Sequence, residues 1–231
     1  MMTLRGLESF ILTVFFYYAS KALYRRFHLV FFSPLFIVPI ALVLFLSISQ
    51  TSYTSYISGG KWLTVLLQPS IVAFALPLHK HYKTLKKYFA EIGFSVLVGV
   101  VFSLLISVML GILVNFKPQI IESLEPRSIT TPIAIVVSQN IGGMPALTAV
   151  FVIITGLAGL LIGPLTIRLL HLHSPVSKGV LLGTSAHACG TFTAFGMGFL
   201  EGTIASLSMI FTGLITVVLA PLLCPLFLKL F

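Results

Sequence analysis

Charge is what this 231-residue chain has least of: 8% of its residues are charged, against about 25% in ordinary soluble domains. With 58% hydrophobic residues and a mean hydropathy of +1.10, too little polar surface remains to cover a soluble core. Those shortages exclude a soluble enzyme, an intrinsically disordered chain and a secreted disulfide scaffold. They predict an integral membrane protein. Aspartate is missing altogether and all five acids are glutamates, so no acid/base carboxylate pair can be placed within a span. The two cysteines, Cys189 and Cys224, sit inside apolar stretches without metal or disulfide spacing and read as packing residues.

Positive charge is in excess, with 14 Lys and Arg giving a net charge of +9. In a soluble domain that balance would raise the question of nucleic acid. Here the cations gather in short connections between apolar runs, as cytoplasmic loops do, so no nucleic-acid partner is expected.

A helix that crosses a bilayer needs roughly 20 apolar residues. Seven runs qualify, near 8–25, 33–49, 62–79, 89–116, 145–170, 176–199 and 202–230. The first follows Arg5 and closes on Arg25 and Arg26 with no small-x-small cleavage site, so it is expected to be a retained helix rather than a signal peptide. An eighth run, 128–141, is short and interrupted by Thr130, Thr131, Pro132, Ser138, Gln139 and Asn140. Basic residues mark three connections: Arg25 and Arg26; His79, Lys80, His81, Lys83, Lys86 and Lys87; and Arg168, His171, His173 and Lys178. The positive-inside rule places all three in the cytoplasm only if 128–141 enters and leaves on one side. The expected architecture is therefore all-α and polytopic, with about seven transmembrane helices and one re-entrant segment.

That topology makes runs two to four and the last three runs inverted copies, an arrangement many secondary transporters share. Glu91 and Glu201 each open the last helix of a triplet. The chain is expected to form one transmembrane domain over 1–231, divided into an N-terminal helix (1–32), a first repeat (33–116) and a second repeat with the re-entrant segment (117–231). The middle helix of each triplet is disturbed. Pro69 and Pro77 interrupt the first, and Gly183, Thr184, Ser185, His187, Gly190 and Thr191 replace the Leu and Ile of a lipid-facing helix in the second. Prolines and glycines at matching places in two halves point to a transporter binding site. Ordinary kinks and close helix contacts are the alternative.

His187 is the one histidine well inside a predicted span, where ionisable groups face the interior or a water path. Two roles fit it: a carrier of a coupling proton, or a neutral ring bonded to a carbonyl of a broken helix. Asn140, Gly142, Gly143 and Pro145 form a turn before a helix start, whose amides and dipole favour an anion; a plain helix–helix turn is the alternative. Gly156, Gly159 and Gly163 fit small-residue helix packing. No cofactor, metal site or catalytic group is expected, and the chain does not read as an enzyme.

Three segments carry a family resemblance. Thr130-Thr131-Pro132-Ile133-Ala134 with the run from Asn140 to Gly156, then Leu182 to Thr191, then Pro69, Val72 to Ala75, Pro77-Leu78 and Lys80, together resemble the LrgB/CidB family from about residue 60 onward. That family is described as holin- or antiholin-like. The resemblance implies one of two functions: control of murein hydrolase activity and autolysis, or transport of small carboxylates, as in the plastidial glycolate/glycerate translocator and in bacterial pyruvate uptake with a small LrgA-type partner. One departure bears on the substrate. Where relatives often carry a cation and then a Glu after the second signature, this chain has Thr193 and Gly196. Lys80, Thr191, Thr193 or the amides of the Asn140–Gly143 turn are the candidate replacements.

The expectation is a multi-pass protein of the bacterial plasma membrane that moves a small monocarboxylate or 2-hydroxy acid, with His187 as proton carrier. Thr131, Asn140, Gly142, Gly143, Thr184, His187, Gly190, Thr191, Pro69 and Pro77 are its candidate substrate-binding residues. The expected partners are the lipid bilayer, the carboxylate, further copies of the chain and a small LrgA/CidA-type membrane protein. A holin/antiholin-like pore or scaffold is the alternative.

Overall fold

In the computed structural model, residues 4–27, 32–73 and 75–230 are described. The described residues are helical throughout and fall into two compact units, Met1–Leu76 and Pro77–Phe231.

The first unit contains α1 (Leu4–Phe27), α2 (Pro34–Ile48) and α3 (Tyr53–Ala73), with α1 packed against both of the others. Ser33 caps α2 by accepting from the Leu35 amide at 3.4 Å, and Pro34 follows at the first helical position, where a missing N–H costs nothing. The Thr13 and Tyr56 hydroxyls, 2.9 Å apart, tie α1 to α3. The helix α3 continues through Pro69 and stops at Ala73, and α4 (Ala75–Lys80) begins after Phe74. Phe74, between the expected disturbances at Pro69 and Pro77, lies outside the described residues.

The second unit takes in the end of α4, then α5 (Tyr82–Lys87), α6 (Phe89–Leu113), α7 (Pro118–Leu124), a one-turn 3-10 helix (Glu125–Ser128), α8 (Thr131–Ile141), α9 (Pro145–Leu169), α10 (Pro175–Met197) and α11 (Phe199–Leu230). Among the described residues α6, α9 and α11 are long and apolar enough to cross a membrane, and the shorter α2 and α8 are also apolar. Apolar side chains fill the core and also cover much of the surface. Ser107, Thr148, Thr203, Ser206 and Thr212 are buried, whereas Phe94, Phe102, Ile154, Leu214 and Val218 are exposed. Such a surface suits a lipid environment. The buried hydroxyls mostly donate to carbonyls one turn back, as Ser206 does to Gly202 at 2.8 Å and Thr212 to Ser208 at 2.7 Å.

Small residues set the helix contacts. On α9 a side chain at Gly156 would strike the His187 ring and the Cys189 sulfur at 2.9 Å, and one at Gly163 would strike Leu182 at 2.6 Å. The stripe lets α9 and α10 approach closely, as its spacing predicts. A β-carbon at Gly183 would fall on the backbone carbonyl of Ala205, so α10 and α11 are nearer still.

The stretch 117–127, which reads as a simple connection, differs from that expectation. It folds back along α6: Ile121 fills the space beside Gly111 near the end of α6, and Ser128 reaches Ser103 in its middle. The helix α8 then returns, and the Met144 amide at the start of α9 donates to Ser123 Oγ at 2.7 Å. Hence α7 and α8 are the two limbs of a hairpin that begins and ends at one end of α6, with the 3-10 turn at its tip.

Candidate functional site

The tip of this hairpin meets a break in α10. Ala186 (φ −135°, ψ 22°) and His187 (φ 40°, ψ −126°) leave the helical region, so the second expected broken helix is present. His187 holds the break together. Its Nε2 donates to the Val152 carbonyl oxygen at 3.1 Å, and its own carbonyl accepts from Thr191 Oγ1 at 3.0 Å. A β-carbon on Gly190 would collide with the Leu182 carbonyl across the break.

A cavity of about 560 Å³ opens beside the break. The helix α6 contributes Glu91, Ser95 and Ser103; the hairpin tip contributes Arg127 and Ser128; α9 contributes Thr155; and α10 contributes Ser177, Thr184 and Ser185. Most of these are hydroxyls, which donate or accept as a ligand requires. Arg127 is its cation and Glu91, in the first turn of α6, its acid. Arg127 Nη1 and Thr184 Oγ1 are buried without a hydrogen-bond partner among the described residues. Unsatisfied donors at low dielectric are costly unless something binds them.

Deeper in, Ser103, Ser128, Thr184, Thr212 and Thr216 surround a second space of about 10 Å³, room for about one water. The Ser103 and Ser128 hydroxyls, 3.2 Å apart, stand at its junction with the main cavity. Glu125, on the same turn as Arg127, is 1% exposed, and neither of its oxygens has a partner.

The candidate residues fall in separate places. Thr184 lines the cavity, and His187, Gly190 and Thr191 shape the break behind it. Asn140, Gly142 and Gly143 lie at the far end of α8, away from the cavity lining, and Thr131 at its start. There Gly142 (φ 103°) is the left-handed cap of α8, a conformation that suits glycine. The Gly143 amide donates to Ser138 O at 2.8 Å, and the Glu122 carboxylate lies beside Gly142. Pro69 belongs to the first unit and Pro77 opens the second. Lys80 stacks on the Phe199 ring at 5.3 Å, while Thr193 donates to Cys189 O at 3.0 Å.

Sequence reasoning missed Arg127, Glu125, Ser103 and Thr155. The available signal was Arg127 itself, three residues before the polar Thr130-Thr131-Pro132 start of a segment expected to re-enter.

Residues 13–226 match the LrgB-like family. The chain is 46% identical over 218 residues to the uncharacterized protein YwbG of Bacillus subtilis, covering 94% of this chain and 97% of that one. It is 34% identical over 224 residues to the holin-like protein CidB of Staphylococcus epidermidis, covering 97% and 98%. It is 32% identical over 194 residues to the antiholin-like protein LrgB of Bacillus mycoides, covering 84% of each. No solved structure matches.

Proposed function

The chain belongs to the LrgB-like family, and from that premise we propose that it is a plasma-membrane transporter whose Arg127 cavity binds a small monocarboxylate or 2-hydroxy acid. One observation carries the reading. Arg127, one of whose guanidinium nitrogens is buried without a partner, lines a hydroxyl-rich cavity at the junction of a hairpin and a broken helix. Guanidinium groups bind carboxylates through paired hydrogen bonds, and the cavity hydroxyls suit the keto or hydroxyl group beside the carboxylate. Irregular backbone at membrane depth is tolerated where it lines a polar cavity, and broken helices hold substrate in many transporters. In this reading the α7–α8 hairpin is the re-entrant segment, Arg127 takes the place of the cation that relatives carry where this chain has Thr193, and the two inverted repeats alternate access.

The second reading, a holin- or antiholin-like role in autolysis, is favoured by the names of the CidB and LrgB relatives. It requires associating helices but no ligand site. Self-association and a small LrgA/CidA-type partner fit either reading.

Binding of labelled pyruvate and glycolate to the purified protein separates the two. Saturable binding lost in Arg127→Gln and weakened in Thr184→Val is expected. Binding unchanged by Arg127→Gln would overturn the assignment of the site.

A further inference from the structure

We propose that Glu125 carries the proton that moves with the carboxylate held at Arg127; this rests on the reading of the Arg127 cavity given above. Glu125 is 1% exposed, and both of its oxygens are buried without a hydrogen-bond partner. A lone buried carboxylate costs several kcal/mol unless a nearby charge offsets it, so the ionised form of Glu125 depends on the free charge of Arg127. Only Pro126 separates Glu125 from Arg127, and a nearby cation favours the ionised form of a carboxyl. An anion on Arg127 cancels that charge. The carboxyl then binds its proton more tightly, and by reciprocity the protonated form binds the anion more tightly. Anion and proton therefore enter together. An O–H bond forms on one Glu125 oxygen with a proton from water as the anion binds, and it breaks on the opposite side, returning the proton to water as the anion leaves. Nothing is oxidised or reduced.

The helices packed against the turn hold few competing groups. On α6 there is Glu91 in the cavity, on α7 Glu122, on α9 Arg168 in the last turn, and on α10 Lys178, His187 and Cys189. On α11 there are Glu201, Cys224 and Lys229, and α8 carries no charged group. The His187 ring is bonded to the Val152 carbonyl, which leaves Glu125 as the buried acid without a partner.

The test uses the full chain in liposomes with pyruvate as probe. Wild-type protein is expected to accumulate pyruvate when the lumen is alkaline, with an affinity that changes by up to about tenfold per pH unit, the limit for one linked proton. Glu125→Gln, a permanent mimic of the protonated acid, is expected to lose the accumulation, and its pyruvate binding to lose the pH dependence. Accumulation by Glu125→Gln at the wild-type level would overturn the proposal and leave the Arg127 site standing. Loss of exchange in Arg127→Gln is the separate test of that site. If Glu125→Gln does not fold, the wild-type protein decides: pyruvate binding in weak buffer at mildly alkaline pH must take up protons, and binding without uptake overturns the proposal.

Discussion

The Ser103 and Ser128 hydroxyls lie 3.2 Å apart and fasten the middle of α6 to the turn that carries Arg127. A hydrogen bond of this kind contributes about 0.5–1.5 kcal/mol. Ser103→Ala and Ser128→Ala are each expected to destabilise the protein by that amount, and the double variant by less than the sum. Thermal unfolding in detergent across the four-member cycle gives the coupling; strict additivity would show that the hydroxyls act independently.

Close packing of α10 on α11 depends on Gly183. A methyl there must displace the Ala205 backbone, whereas one at Gly196 meets nothing within 4 Å. Gly183→Ala is expected to cost about 1–3 kcal/mol or more. Gly196→Ala should be neutral or stabilising by up to about 1 kcal/mol, from helix propensity. Equal melting temperatures for the two would contradict the described packing.

How much of this was legible in the sequence depends on how local each feature is. The disturbance of α10 was readable, because Gly183, Thr184, His187 and Gly190 replace apolar residues in a span. The glycine stripe of α9 was readable from its spacing. Arg127 was not, because its place is fixed by contacts distant in sequence: Ile121 against Gly111, Ser128 against Ser103 and Ser123 against Met144. Those contacts turn an apparent loop into one limb of a hairpin, and no periodicity in 117–127 announces it. The Asn140–Gly143 turn was legible as a turn. The engagement of its Gly143 amide by Ser138 and the Glu122 carboxylate beside Gly142 were not.

His187 has a positive φ of 40°, and that conformation costs a non-glycine residue about 1–3 kcal/mol. Replacing it with Ala keeps the strain and loses the bond to Val152, whereas Gly loses the bond and relieves the strain. His187→Gly is therefore expected to unfold at a higher temperature than His187→Ala. The reverse order would mean that the break is not strained at this residue.

The most direct test of the central claim follows labelled pyruvate uptake into liposomes beside leakage of a larger trapped dye. The Arg127 site predicts saturable uptake without dye loss, abolished by Arg127→Gln and partly kept by Arg127→Lys. Dye loss with uptake that never saturates, equal in wild type and Arg127→Gln, would contradict it and favour a holin-like pore.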